Sequence, residues 1–403
     1  MGEIVTIHVG QCGNQIGARF LDLAEKESDL KNLIFSNQSG LPRSVLVDME
    51  CGVLNRVCRL RKFDTDRQVV SDVSGSGNNW AVGHYCYGPQ YVERIADCIR
   101  HQLEQCDRLD SLHLFASASG GTGSGLGSFI LELLSDEKFS KICTVVFPSI
   151  GANDVVTSPY NAVLTTAALV KYASAVLVVT NDHHAPSWND NVCKVLVDVM
   201  SASSQNISSV CDIVRKFLVP SLAPNGPIPR DLKLVPRCFD AAFSEFNPLC
   251  VVDRKMRRFP NKQATWVRSM YSEKDVQRNV PRLWNPQVHC SYGSRSWGQF
   301  SLSSLYNTDQ VYPVFDFMLN GFERLLKRKA NLHHYTEWMS LDEMNNAFDT
   351  VMAIRGQYST TPYATQTVNK NANARRLFAP PLTVREAVHA LRTQREKPSM
   401  LRV

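Results

Sequence analysis

No run of apolar residues in this chain approaches the roughly 20 needed to cross a bilayer, and the longest, such as "SAVLVV", are strand-sized. The opening "MGEIVTIHVG" has neither the basic flank nor the length of a secretion signal. Both absences place the protein in the cytoplasm, away from membranes. Gly2 and Thr6 fit a myristoylation pattern, yet Glu3 and the β-branched run behind it read as a buried strand. The 12 cysteines include no Cys-x-x-Cys pair, so they read as reduced, mostly buried thiols rather than a disulfide framework. His183-His184 and His333-His334 are adjacent rather than helically spaced, which argues against zinc. Internal repeats are absent. The formal charge of +6 is too small to argue for nucleic acid.

What the chain does have is length, 403 residues with 44% hydrophobic content, enough for two or three domains and a large core. Its first half alternates short β-branched runs with longer amphipathic ones: "EIVTIHV" then "NQIGARFLDLAEKE", "SVLVDM", "LHLFASA" then "GSFILELLSDE", "CTVVFP" then "NAVLTTAALVKYA", and "AVLVV". That alternation predicts an α/β fold, a parallel sheet with helices on both faces and ligands at the carboxyl ends of its strands. "VCKVLVDVMSASSQNISSVCDIVRKFL" reads as helical with a polar break, and "PSLAPNGPIP" ends it. The expected organisation is a nucleotide-binding domain over 1–190, a core helix region over 191–222 and a smaller α/β domain over 223–306. A C-terminal helical hairpin over 307–358 and a loosely ordered tail over 359–403 complete it. After Asn369 that tail carries Lys370, Arg375, Arg376, Arg385, Arg392, Arg395, Lys397 and Arg402 against only Glu386 and Glu396.

One stretch, "SASGGTGSGLGS" over 117–128, is almost free of large side chains and sits between a strand-like and a helix-like run. A turn of this composition lets backbone N–H groups converge at a helix start, where the dipole adds to them, and that suits phosphate. Gly120, Gly121, Gly123 and Gly125 supply freedom, while Thr122 and Ser124 offer hydroxyl donors. No Lys-Ser/Thr follows, which excludes a P-loop, and the first turn "GQCGNQIG" lacks the Rossmann dinucleotide spacing.

"GQCGNQIG", "VDMECG", "SGSGNNWAVGHY", "SGGTGSGLG", "DVVTSPYN" and "FERLLKRKANLHHYTEWMSLDEM" occur in the order and near the spacing of matching segments in the tubulin superfamily. The resemblance runs from residue 1 to about 358. It implies a tubulin-like, Rossmann-like GTP-binding domain with GTP or GDP lying across several strand-end loops. In this sequence the implied contacts are Gln11 and Cys12 at the first helix start, Gly77 and Asn78, the run Ser117, Gly120, Gly121, Thr122 and Gly123, and Asp154 and Asn181 for ribose and base. Asp48 and Glu50, two apart at a strand end, would share one face and hold Mg2+ through water.

Several positions depart from the family pattern. Ser119 replaces the first glycine of a triple-glycine run, and Ser158 stands where many tubulins carry a glutamate before "PYN". Ser204 and Ser208 align where a tyrosine stacks on guanine and an asparagine reads its edge, which predicts weaker or less selective nucleotide binding. The loop that acts on a neighbouring subunit's nucleotide, here "NGPIPRDLKLVP", is shortened and offers Asp231 followed by Lys233 with no glutamate. No catalytic residue is therefore assigned, and GTPase activity stays open.

"SGSGNNWAVGH" and "DVVTSPYN" resemble the divergent delta, epsilon and zeta group, with epsilon or zeta ahead of delta. That resemblance implies a structural subunit of microtubule-based assemblies in the cytoskeleton, at the centrosome, centrioles or basal bodies of cilium-bearing cells. Its partners would be other tubulins or centriole proteins, and its basic tail would meet acidic surfaces. The alternative is a self-polymerising cytoskeletal GTPase.

Overall fold

The computed structural model describes residues 2–149, 155–180, 188–201, 234–235, 238–243, 263–269, 288–292, 296, 300–306 and 312–358. Strands β1 (Glu3–Val9), β2 (Ser44–Asp48), β3 (Val69–Ser71), β4 (Leu109–Ser117), β5 (Ser140–Phe147), β6 (Ala175–Thr180) and β7 (Leu234–Val235) form one sheet, ordered β3-β2-β1-β4-β5-β6-β7. Every pairing in it is parallel. All residues of β1 and β2 are buried, the signature of strands covered on both faces. The chain runs outward from β1 to β3 and returns on β1's other side at β4, so the strand order reverses between β1 and β4. A crevice opens at that reversal, beyond the strands' carboxyl ends.

Successive strand residues feed opposite layers, as a period of two requires. Ile7, Val9, Leu114, Ala116, Val145 and Val178 join a core with α5 (Gly88–Glu104), α6 (Gly127–Leu133) and α7 (Ser158–Tyr172). Ile4, Leu46, Phe115, Val146 and Leu177 join the other, with α1 (Gly10–Ala24), α2 (Ser28–Ile34), α3 (Cys51–Leu60) and α8 (Trp188–Ser201). A single-turn α4 (Thr65–Gln68) leads into β3. Arg19 on α1 and Lys194 on α8 both pair with Asp190, fastening α8 beside α1. Of the expected core helix region only α8 falls within the described residues.

The second sheet is mixed: β8 (Cys238–Phe243), β9 (Gln263–Ser269), β10 (Val288–Tyr292) and β11 (Phe300–Tyr306) are ordered β10-β9-β11-β8. β10 and β9 are parallel, whereas β11 is antiparallel to both β9 and β8. Although sequence punctuation opens the second domain at residue 223, Leu234–Val235 extends the first sheet beside β6. Such a short strand carries no periodicity to announce it.

Helices α9 (Tyr312–Arg328) and α11 (Leu341–Gln357) form the expected C-terminal pair, joined through a short α10 (His333–Thr336) that pattern reading missed. Lys329 and Asn331 take left-handed backbone angles to turn the chain, and Ser340 with Glu343 forms a capping box that starts α11. Phe322 of α9 meets Tyr160 of α7 at 5.1 Å and Phe348 of α11 at 5.3 Å between ring centres. Full burial of one such ring contributes about 1.5–3 kcal/mol, so the pair is held onto α7.

The α1 face of the sheet carries an unusual polar ladder. Thr6 Oγ1 lies 2.7 Å from Ser44 Oγ and 3.0 Å from His8 Nε2, while His113 Nε2 lies 2.7 Å from Thr144 Oγ1. A Cβ at position 17 would fall 2.3 Å from His8 Nδ1, so only glycine lets α1 approach here. Neither imidazole has a partner at Nδ1 among the described residues, and burial pushes each pKa down to about 3. Below pH 6.5 the unfolded chain therefore takes up protons that the folded one refuses, and stability falls as pH falls toward 3. The expected loss is about 1.4 kcal/mol per pH unit for each histidine. Urea unfolding of wild type and His113→Gln between pH 7 and 4.5 should show a shallower slope in the variant, and equal slopes would refute this origin.

Candidate functional site

At the crevice, α1 begins directly after β1. Gly10 takes φ +72°, and a Cβ there would lie 2.8 Å from the backbone nitrogen of Gly123, so the first turn and the glycine loop meet backbone to backbone. The N-terminus of α1 has no side-chain cap. Its first amides, with Gln11 exposed and Cys12 half-buried, are left for another acceptor. Burial raises the Cys12 thiol to about 12, so it stays protonated and is no nucleophile.

Opposite, β4 ends at Ser117, whose hydroxyl accepts the Ser119 N–H at 3.2 Å. Thr122–Leu126 then forms a wide π-helical turn that feeds α6, and neither has a side-chain cap. The glycines of this turn take no positive φ; a Cβ at Gly121 or Gly125 would instead collide with Ser76 Oγ at 2.4 Å or the Trp80 carbonyl at 2.1 Å, so they serve close packing of a helical start rather than an open loop. Ser119 is not among the residues with positive φ, so the missing glycine costs nothing in backbone strain. The proposed hydroxyl donors, in contrast, are spent internally. Ser124 Oγ bonds to the Gly120 and Gly121 carbonyls, and Thr122 Oγ1 pairs with Ser76 Oγ at 2.9 Å. Backbone amides, not Ser124, are what this turn offers an anion.

The third wall is the loop over 74–80, where Gly77 and Asn78 both take left-handed angles, φ +56° and +53°. A Cβ at Gly120 would lie 3.8 Å from Asn78 Oδ1, which puts the Asn78 side chain across from the glycine turn. Asn161 on α7 holds both walls from beneath. Its Nδ2 donates to the carbonyls of Asn78 and Ser119, each at 2.8 Å. Its Oδ1 accepts the Trp80 N–H at 2.9 Å and the Tyr335 hydroxyl at 2.5 Å. Those four bonds saturate a fully buried amide. Thr157 Oγ1 adds a bond to the Asn78 carbonyl at 2.9 Å, and Asn79 Nδ2 donates to the His334 carbonyl at 2.9 Å. Asn161 closes the "DVVTSPYN" segment, and no spacing within the sequence marks its role. Ser158, in the position of the family's glutamate, is buried at the start of α7.

At the end of β2 the two acids differ in exposure. The strand stops at Asp48, and Glu50 follows in extended backbone just before α3, near enough for its charge to raise the Asp48 pKa. Asp48 is 3% exposed; its Oδ1 accepts the Glu50 N–H at 3.3 Å, and its Oδ2 has no partner among the described residues. Burial raises its pKa to about 6. Glu50 is exposed and leans toward the turn at Gly75, where a Cβ would meet its Oε1 at 2.6 Å. A buried carboxylate oxygen without a partner, beside an exposed second acid, suits a hydrated divalent cation. No cluster of three or more His, Cys, Asp and Glu side chains that could hold a metal directly occurs among the described residues. Asp154, Asn181, Ser204, Ser208 and the Asp231 loop lie outside the described residues.

Residues 3–186, which span every wall of this crevice, match the family model described as "Tubulin/FtsZ family, GTPase domain". The chain is 30% identical to the tubulin epsilon chains of Mus musculus and of Homo sapiens, in each case over 89% of this chain and 96% of the relative. It is 27% identical to the tubulin beta-1 chain of Homo sapiens, over 89% and 94%. With a crevice walled by main-chain amides and likeness carried over 89% of its length, this chain belongs to the tubulin family.

Proposed function

We propose that this protein is a GTP- or GDP-binding structural subunit of microtubule-based assemblies at the centrosome, centrioles or basal bodies of cilium-bearing cells. The observation that carries the nucleotide reading is the pair of uncapped helix starts, that of α1 and the π-helical turn leading into α6, pressed together at Gly10 and Gly123 across the topological switch. Converging amides and two helix dipoles favour a polyphosphate there. In this reading the amides of Gln11 and Cys12 and of the run from Ser117 through Gly120, Gly121, Thr122 and Gly123 take the phosphates. Gly77 and Asn78 close over them. Asp48 and Glu50 hold Mg2+ through water, Asp154 meets the ribose and Asn181 the base. When bound, the cation neutralises phosphate charge beside the buried Asp48.

Hydrolysis needs a water-positioning acid from a neighbouring subunit, and the shortened segment with Asp231 and Lys233 supplies a poor one to the next chain. That shortening favours a structural subunit over a self-polymerising GTPase. The reading keeps the division into domains at 1–190, 191–222, 223–306, 307–358 and 359–403, with Leu234–Val235 reaching back to the first sheet. Its partners are other tubulins, and the basic tail suits acidic surfaces on them. In ciliated cells a tagged copy should concentrate at basal bodies, and uniform labelling of cytoplasmic microtubules would reject that placement.

Nucleotide binding is tested at its supports. Asn161→Asp keeps the side chain's size but removes both N–H donors, so the walls carrying Asn78 and Ser119 lose their common anchor. GTP affinity by calorimetry should fall at least tenfold, about 1.4 kcal/mol. Tyr335→Phe, which removes one hydroxyl from the same amide, should fall less. Unchanged affinity in folded Asn161→Asp would detach the loops from binding. Asp48→Asn should abolish most of the gain in affinity that Mg2+ confers on GTP while leaving metal-free binding near wild type, and an undiminished Mg2+ effect would remove Asp48 from the cation site.

A further inference from the structure

On the face away from α1, between α7 and α11, the helices leave a groove of about 820 Å³. Small side chains make it: Ala167 and Ala168 on α7 face Ala347 and Ala353 on α11, with Ile354 beside them. Glu132 and Glu343 stand on its lining and outnumber its one lysine, Lys171, which lies within electrostatic reach of Glu132. Glu132 accepts the Tyr172 hydroxyl at 2.9 Å and lies 3.1 Å from His84 Nε2, while Glu343 accepts the Tyr85 hydroxyl at 3.2 Å. Burial lowers the pKa of His84, so near pH 7 its ring does not cancel the Glu132 charge. Lys171 also lines the groove, with its ammonium 4.8 Å from the centre of the Tyr172 ring.

The occupant is suggested by where the chain goes next. Helix α11, one wall of the groove, ends at Gln357, and Tyr358 is packed with its ring 6.0 Å from Phe315. The remaining residues, 359–403, therefore depart from the groove's own wall. From Glu343 to Ile354 the wall is roughly 16 Å long at 1.5 Å per residue. The stretch from Tyr358 to Thr383 can span that length several times over. The segment that follows, "TVREAVHALR", pairs Thr383 with Glu386 at capping-box spacing and sets Val384, Ala387, Val388 and Leu391 at i, i+3, i+4 and i+7. Arg385 and Arg392, with Arg395 just beyond, outweigh Glu386 and give it the opposite charge to Glu132 and Glu343.

We propose that residues 383–392 of the protein's own C-terminal segment dock in this groove, with Val384, Val388 and Leu391 on its alanine-lined floor and the arginines toward Glu132 and Glu343. The inference stands apart from the nucleotide reading. It makes an acidic partner surface compete with the chain's own carboxylates for the tail.

Full-length protein, as an equal mixture of unlabelled and 15N-labelled chains, is treated with a carbodiimide and digested for mass spectrometry, alongside the full-length double variant Val388→Asp/Leu391→Asp. The expected result is a link within one chain between Lys171 and Glu386 or Glu396, cut at least fivefold in the variant. Amide exchange in 164–172 and 343–354 should speed up at least threefold in the same variant. Ala353→Arg, which fills the groove from its exposed side, should reproduce both changes with nucleotide content unaltered. Absence of the link, exchange indifferent to these variants, or links only between differently labelled chains would each overturn the proposal, the last by making a second copy the occupant.

Discussion

Four polar groups from three distant parts of the chain converge on the buried side chain of Asn161, and the geometry of the crevice follows from that meeting. An amide offers two donors and two acceptor positions, and here all are taken within hydrogen-bond distance. Because both donors go to carbonyls, of Asn78 and Ser119, the two wall segments are tied at one point by oxygens turned toward α7. Leaving any of these groups unpaired in the core costs about 1–3 kcal/mol each, which makes the arrangement hard to relax. Through Tyr335 the same amide also ties the outer helical hairpin to the crevice, so the hairpin forms part of the site's foundation.

Recognition in such a crevice rests on main chain. Side-chain hydroxyls nearby, on Ser76, Thr122 and Ser124, are consumed in holding turns together. What faces outward is a set of amides at two helix starts, whose direction is dictated by the strands that precede them. This explains why Ser119 can stand in a glycine-rich run without strain: its φ is ordinary, and what the turn uses is its backbone. Asp48 is the exception. Its buried Oδ2 is left without a partner among the described residues, at a cost in free energy.

The two faces of the sheet carry different duties. Toward α1 and α8 the interior holds imidazoles and hydroxyls in a closed ladder that ties folding to pH. Toward α7 and the C-terminal helices the core is aromatic, with Tyr160 touching both Phe322 and Tyr335. The alanines that let those helices lie close also leave the groove between α7 and α11, which lies behind the crevice and shares Trp80 with the loop that walls it.

The sequence by itself determined the layered α/β plan, because strand and helix periodicities are local and the longer buried strands announce themselves in β-branched residues, which the short β3 and β7 are too brief to do. It also determined where small residues crowd, at Gly10, at 75–78 and at 120–127, and those stretches do meet. Only the tertiary structure decided which atoms of them are free. It buried Asp48 and left Glu50 exposed beside it. It withdrew Ser124 from the anion side, and it revealed Asn161, whose role exists only where three remote segments are brought within 3 Å of one amide. Hydrogen-bond partners far apart in sequence leave no periodic trace, and so folding alone assigns them.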